Sequence, residues 1–305
     1  MPLPAFFEPL LHEQYGPELA SLIVEGCRAR RTTLRANALK ATPEAVASCL
    51  DEAGVAYERV AWYPDAFVLA PGVRPSDIWG LPLYEQGGLY LQSLSSMLPA
   101  LVLDPRPGLD VLDMCAAPGG KTTQMAALTG CHAHITACEM HMPRAEKLRF
   151  NLERQGATGV NVMQVDARRL DDFFRFDQIL LDAPCSGSGT LDEADPKVAK
   201  RFTPQLVSKS QSSQKALLKK ALGLLKPGGV LVYSTCSVLG GENEQVVRQA
   251  LAAAGKQGSY EVRPVRAFEG APNLPLLPCA LDGAVCLRPT EFFEGFFMAK
   301  IVRLG

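Results

Sequence analysis

Two short segments each deliver a cysteine to the end of an apolar run. DQILLD (177–182) leads into DAPCSGSG (182–189) and brings Asp182 and Cys185; VLVYST (230–235) leads into STCS (234–237) and brings Cys236. A free cysteine is most often a small buried hydrophobe, a reading that suits Cys27, Cys49, Cys131, Cys138, Cys279 and Cys286. A place just past a strand end is different, because the carboxyl ends of the strands line the ligand crevice of a doubly wound sheet. Cys185 and Cys236 are therefore expected at one sheet edge, where a thiol is available for chemistry. The nine cysteines include no CxxC pair and are odd in number, which fits reduced thiols better than a disulfide framework.

A third segment, LDMCAAPGGKTTQ (112–124), runs from a strand through a Pro-Gly-Gly turn into a helix. Its small residues let a ligand approach the backbone, and the helix start offers N–H donors to an anion. The spacing is neither GxGxxG nor GxxxxGK[ST], which argues against a dinucleotide pyrophosphate or a nucleoside triphosphate and for a carboxylate. Glu139 closes the next strand and can accept both hydroxyls of a ribose, while Asp166 closes the one after and can accept from an adenine amino group. Either acid alone is an ordinary solvated strand end. In this order they sketch an adenosine site.

These residues need a sheet to bring them together, and the periodicity supplies one. From Gly108 onward, strands over 110–114, 134–139, 160–165, 177–182 and 230–235 alternate with helices near 119–129, 143–156, 204–225 and 242–254. Segments 284–289 and 295–302 add an antiparallel edge. The fold class is α/β, a Rossmann-like domain over 81–305, preceded over 1–80 by a small α+β unit with helices near 6–23 and 43–54 and strands near 32–39 and 55–63. A crowd of Pro and Gly between Pro71 and Gly88 marks the boundary, placed near Leu81.

A length of 305 residues with 47% hydrophobic residues fills such cores, and no apolar run approaches the roughly 18 residues of a membrane span. The opening residues lack a secretory signal, so a cytoplasmic, monomeric protein is expected. Net charge is only −1, so any basic surface for nucleic acid must be local. Between Pro196 and Lys226 lie eight Lys or Arg and no acidic residue, a run expected to supply such a surface or else to form a solvated helix face. Arg28, Arg30, Arg31, Arg35 and Lys40 form a weaker cluster. Cys131, His132, His134, Cys138 and His141 resemble a zinc set by spacing, but alternation along a strand turns their side chains apart, and no metal is expected.

CAAPGGKT, DAPCSGSG and STCS, in that order, resemble the motifs of the Nop/Sun family of RNA cytosine-5 methyltransferases. The likeness extends through EMHMPRAEKLRFNLERQG (139–156), GGENE (240–244) and EGFFMAK (294–300), covers about 85–305, and includes a helix over 90–103. TTLRANALK (32–40) is similar, less specifically, to the family's small RNA-contacting domain. The resemblance implies a class I S-adenosyl-L-methionine (SAM)-dependent fold. It implies that Cys115, Ala116, Ala117, Pro118, Gly119, Gly120 and Lys121 surround SAM, that Glu139 holds its ribose and Asp166 its adenine, with Arg144 bordering the site and Asp182 at the junction with the target base. It further implies that Cys236 is the nucleophile, that Cys185 assists product release, and that the partner is RNA, ribosomal first and transfer RNA next. Carbon 5 of cytosine takes a methyl group only after a thiolate adds to carbon 6, which Cys236 would supply, with Lys121 or the cofactor's positive charge favouring the thiolate. Asp182 would hydrogen-bond the ring nitrogen that gains charge, and the base must leave its stack.

Overall fold

The computed structural model describes residues 3–255, 258–266 and 274–305. The elements run in the order α1 (Phe7–Glu25), β1 (Thr33–Ala36), α2 (Pro43–Glu52), β2 (Tyr57–Arg59), β3 (Ala66–Leu69), α3 (Pro75–Ile78), α4 (Pro82–Glu85), β4 (Leu89–Leu91) and α5 (Leu94–Leu103). The large sheet follows, with β5 (Asp110–Asp113), α6 (Gly120–Leu128), β6 (His134–Cys138), α7 (Met142–Gln155), β7 (Val160–Met163), β8 (Phe176–Asp182), α8 (Pro196–Arg201), α9 (Pro204–Leu224), β9 (Leu225–Thr235) and α10 (Glu244–Ala254). The chain closes on β10 (Tyr260–Arg263), β11 (Leu276–Leu277), β12 (Val285–Leu287) and β13 (Phe296–Arg303).

The strands of the large sheet lie in the order β11-β12-β13-β9-β8-β5-β6-β7, with β10 on β13. Strands β7, β6, β5, β8 and β9 are parallel, and β13 joins β9 antiparallel. β5 is flanked by β6 on one side and β8 on the other, so the chain reverses its direction of travel across the sheet there. The crevice over that switch is where a doubly wound sheet binds its ligand.

Alternation along each strand sorts the core into two layers. Leu112, Ile179, Leu181, Leu231 and Tyr233 face a layer built by α1, α9 and α10, with Phe7, Leu11, Leu217, Leu218 and Val246 among its fully or almost fully buried members. Val111, Leu180 and Val232 face the other layer, where α5, α6 and α7 contribute Leu98, Met125 and Leu148. Helix ends follow local chemistry. Thr203 caps α9 by accepting from Leu206 N at 3.1 Å, Pro143 sits in the first turn of α7, and Gly156 ends α7 at φ +68°.

The small unit is a four-stranded antiparallel sheet in the order β2-β3-β1-β4. It contains two strands that periodicity did not announce. β3 is a four-residue run buried throughout, too short to alternate visibly, and β4 occupies the start of the segment expected as helix 90–103 because pairing with β1 claims its backbone. Ser93 then caps α5 by accepting from Ser96 N. The small sheet thus draws in residues to Leu91, ten past Leu81. α1 packs with the large sheet's core. Strands β10 and β11 also extend the antiparallel edge beyond the two expected there.

The Arg28–Lys40 cluster is largely consumed by this architecture. Arg35 is fully buried and donates to Gln92 Oε1 at 3.1 Å and Thr123 Oγ1 at 3.2 Å, joining the small sheet to α6. Arg30 donates to the carbonyls of Gly189 and Phe293, and Lys40 to those of Gln86 and Arg154.

Candidate active site

A cavity of about 630 Å³ opens over the carboxyl ends of β5, β6, β7 and β8. Cys115, Glu139, Arg144, Asp166 and Cys185 all line it, so four of the residues expected at the cofactor meet one of the two chemical thiols. Met114, Met140, Val165, Leu206 and Leu217 supply apolar walls, and Arg168, Lys209 and Ser210 add polar ones. Glu139 is almost fully buried. One oxygen accepts from His141 N at 2.9 Å and the other lies 3.4 Å from Arg144 Nε. Arg144 also donates to Ala117 O at 2.9 Å, tying the Pro-Gly-Gly turn to the end of β6. Asp166 is gripped by Arg168 at 2.6 Å, which holds its carboxyl below the usual range.

The turn packs closely against neighbouring elements of the protein. Ala116, Ala117, Pro118, Gly119, Gly120 and Lys121 are not among the residues lining the cavity. Gly119 starts α6 at φ +112°, and a Cβ there would come within 3.0 Å of the Leu148 side chain on α7. At Gly120 it would meet the Tyr90 ring at 3.2 Å. The left-handed backbone at Gly119 calls for glycine, and both residues lie close against neighbouring side chains. Asp113, one step before the turn, is fully buried and accepts from Thr122 Oγ1 at 2.7 Å; burial pushes its carboxyl up to about 6.

At the ends of β8 and β9 the thiols of Cys185 and Cys236 stand 2.7 Å apart. The Cys185 thiol is pushed well up by its hydrogen bond to Cys236 and by burial, with the charges of Cys236 and Glu242 adding to both. Beside them, Lys121 Nζ lies 2.8 Å from Asp182 Oδ2 and donates to Ser96 Oγ at 2.7 Å, while Asp182 Oδ1 accepts from Ser234 Oγ at 2.7 Å. Burial works against the Lys121 charge, and the Asp182 carboxylate outweighs it, so the ammonium is held above its ordinary range. Lys121 is therefore committed to Asp182; the expectation that it favours a Cys236 thiolate finds no direct contact.

Several contributors escaped the sequence. Ser96 and Ser234 become visible only as partners of Lys121 and Asp182. Glu242 is fully buried between the two cysteine loops, and its only sequence signal was an acid six residues past Cys236 in a stretch of small and apolar residues. The basic run is split: Lys209 lines the cavity, Lys220 pairs with Asp172, and Lys226 pairs with Asp110 and Asp177 at the far end of the sheet. The spaced Cys and His residues do not converge. Among the described residues no group of three or more His, Cys, Asp or Glu is placed to hold a metal ion, and no helix is long and apolar enough to cross a membrane.

The family model described as 16S rRNA methyltransferase RsmB/F matches residues 100–302. The chain belongs to that family. A second model, the ferredoxin-like domain of RsmF/B-like methyltransferases, matches residues 3–74. Among curated relatives of this RsmB/F family member, ribosomal RNA small subunit methyltransferase F of Shewanella amazonensis is 40% identical over 278 residues, covering 89% of this chain and 58% of that protein. The probable ribosomal RNA small subunit methyltransferase B of Bacillus subtilis is 31% identical over 302 residues, covering 96% and 64%. The chain thus spans less than two thirds of either relative. A methyltransferase homolog protein from Pyrococcus horikoshii superposes with a TM-score of 0.81 at 32% identity, over 99% of this chain and 100% of that one. NSun6 from the same organism, solved with SFG, gives 0.84 at 23% identity over 99% of each chain, a likeness of fold.

SAM is the cofactor of this family, and the cavity suits it. Two carboxylates one strand apart, Glu139 and Asp166, face a space with apolar walls, acceptors of the kind the hydroxyls and amino group of an adenosine need.

Proposed function

We propose that this chain methylates carbon 5 of a cytosine in RNA, with small-subunit ribosomal RNA as the substrate, through a covalent bond between Cys236 and the base. The observation that carries the reading is the pair of thiols 2.7 Å apart at the ends of β8 and β9, with Cys185 in the wall of the cofactor cavity and Asp182, paired with Lys121, closing β8. The names of the relatives support the ribosomal substrate.

Glu139 and Asp166 would hold the ribose and adenine of SAM, with Cys115 and Arg144 bordering it. The bound cofactor supplies an electrophilic methyl group. The Cys236 thiol gives up its proton to solvent water, and Cys185 lies in contact with its sulfur. The Cys236 sulfur bonds carbon 6 of the cytosine, and the electron pair of the 5,6 double bond becomes available at carbon 5. Asp182, in contact with Lys121 and Ser234, is placed to hydrogen-bond the polar edge of the base and fix its orientation. Once carbon 5 is alkylated, solvent water takes its proton, the electron pair returns to the 5,6 bond, and the carbon–sulfur bond breaks toward Cys236. Cys185 lies within reach of that departing sulfur.

Labelled SAM, a small-subunit ribosomal RNA transcript and the variants C236A and C185A test this. Methyl transfer is expected to vanish in C236A. C185A is expected to accumulate a denaturation-resistant protein–RNA adduct. Methylation that survives in C236A rules out Cys236 as the nucleophile.

A further inference from the structure

Glu242 carries no assigned role, yet its side chain bonds both cysteine loops. It is fully buried. Oε1 accepts from Ser186 N at 2.8 Å and Gln214 Nε2 at 3.2 Å; Oε2 accepts from Ser186 Oγ at 2.5 Å and Ser237 Oγ at 2.6 Å. Ser186 follows Cys185 and Ser237 follows Cys236. Gln214, from α9, also donates to Pro184 O at 3.0 Å, on the other side of Cys185. None of the four donors is a Lys or Arg, so the carboxyl group is satisfied by neutral hydrogen bonds alone.

A carboxylate accepts and does not donate, which fixes the direction of every hydroxyl around it. Ser237 Oγ gives its proton to Glu242 and accepts from Leu239 N at 3.1 Å, so Ser188 Oγ, 2.8 Å away, must donate to it. Ser188 Oγ in turn accepts from Val238 N at 3.1 Å. The next residue completes the clasp: Asn243 accepts from Thr235 Oγ1 at 2.6 Å and donates to Ser237 O at 2.9 Å, gripping both neighbours of Cys236. Tyr233 OH bonds Glu242 O at 2.7 Å and anchors the pair to β9.

We infer that Glu242 is a positioning residue for the methyl-transfer reaction, holding the Cys185 and Cys236 loops at the separation their chemistry needs. The inference rests on the covalent reading above. Both cysteines lie on loops that leave separate strands, and the sheet by itself fixes only where each strand ends. A displacement of about 1 Å at a reacting atom can cost ~100-fold in rate.

The test uses the full chain with SAM and the small-subunit ribosomal RNA transcript, comparing wild type, E242A and E242Q, each also in a C185A background. E242A is expected to bind SAM within threefold of wild type by calorimetry, because the cavity walls are other residues, and to keep KM for RNA within threefold while kcat falls at least ~100-fold. E242Q keeps the shape and an acceptor for Ser186 N, and its amide can be accommodated if the hydroxyls reverse. It is expected to recover at least tenfold of that loss. The adduct formed by C185A should fall at least tenfold in C185A/E242A.

A kcat for E242A within threefold of wild type overturns the inference. So does a loss of activity matched by an equal loss of SAM binding and of cooperative melting in E242A and E242Q alike, which makes Glu242 a residue of the fold only. If C185A with Glu242 intact forms no adduct, the covalent reading fails instead, and Glu242 is judged on the kcat and KM of its variants.

Discussion

At the scale of single residues, the site is built from groups that satisfy one another before any substrate arrives. Lys121 and Asp182 neutralise each other, and the thiols of Cys185 and Cys236 face one another. Asp113 is the exception, a buried carboxyl whose partners do not offset its desolvation. Its folded value near 6 lies above the ordinary 3.8, so the folded state holds a proton that the unfolded chain releases. Stability therefore falls as pH rises from about 4 to about 6, and above that the cost, about 3 kcal/mol, is fully present. D113N removes the titration and keeps an acceptor for Thr122. Urea midpoints measured from pH 4 to 8 are expected to decline across this window in wild type and to lose most of that slope in the variant. An unchanged slope in D113N would place the titrating group elsewhere.

Elements decide which residues can act together. Gly119 lets α6 start hard against α7, and G119A meets both a left-handed backbone and the Leu148 side chain, so it is expected to destabilise the fold by about 1–3 kcal/mol in denaturant unfolding. α9 runs from the cavity toward the opposite end of the sheet, which separates its charges. Lys209 lines the cavity, whereas exposed Lys215 and Lys219, further along the helix, are not among its lining residues. K215Q/K219Q is expected to leave RNA affinity and its salt slope unchanged. A slope smaller by about 1.4 would mean that both lysines meet phosphates of a single strand.

The whole molecule is held together across its two sheets. α1 buries Phe7, Leu11 and Ile23 in the core of the large sheet, Tyr15 donates to Val238 O at 2.6 Å, and Gln14 bonds both Val238 O and Gly240 N, so the loop after Cys236 leans on the first helix. F7A is expected to cost about 3–5 kcal/mol, read as a drop in unfolding free energy. Arg30, Arg35 and Asn37 bond from the small unit into α6, α7 and the loop after Cys185. Calorimetry should accordingly give one cooperative transition. Two separated transitions would show that these bonds do not couple the units.

The sequence by itself determined the parallel sheet, the order of its motifs and the arrival of Glu139, Asp166, Cys185 and Cys236 at one edge. Those follow from local periodicity and from a general rule of doubly wound sheets, in which side chains just past strand ends face the crevice. Short strands such as β3 and β4 were hidden because partners far along the chain stabilise them. Only the tertiary structure decided that Lys121 pairs with Asp182, that Gly119 and Gly120 lie against Leu148 and Tyr90, and that α1 belongs with the large core. The same holds for Glu242. Its meaning depends on four donors from three separate segments, and three of those bonds span 28 to 56 positions, a separation that leaves no mark on any local pattern.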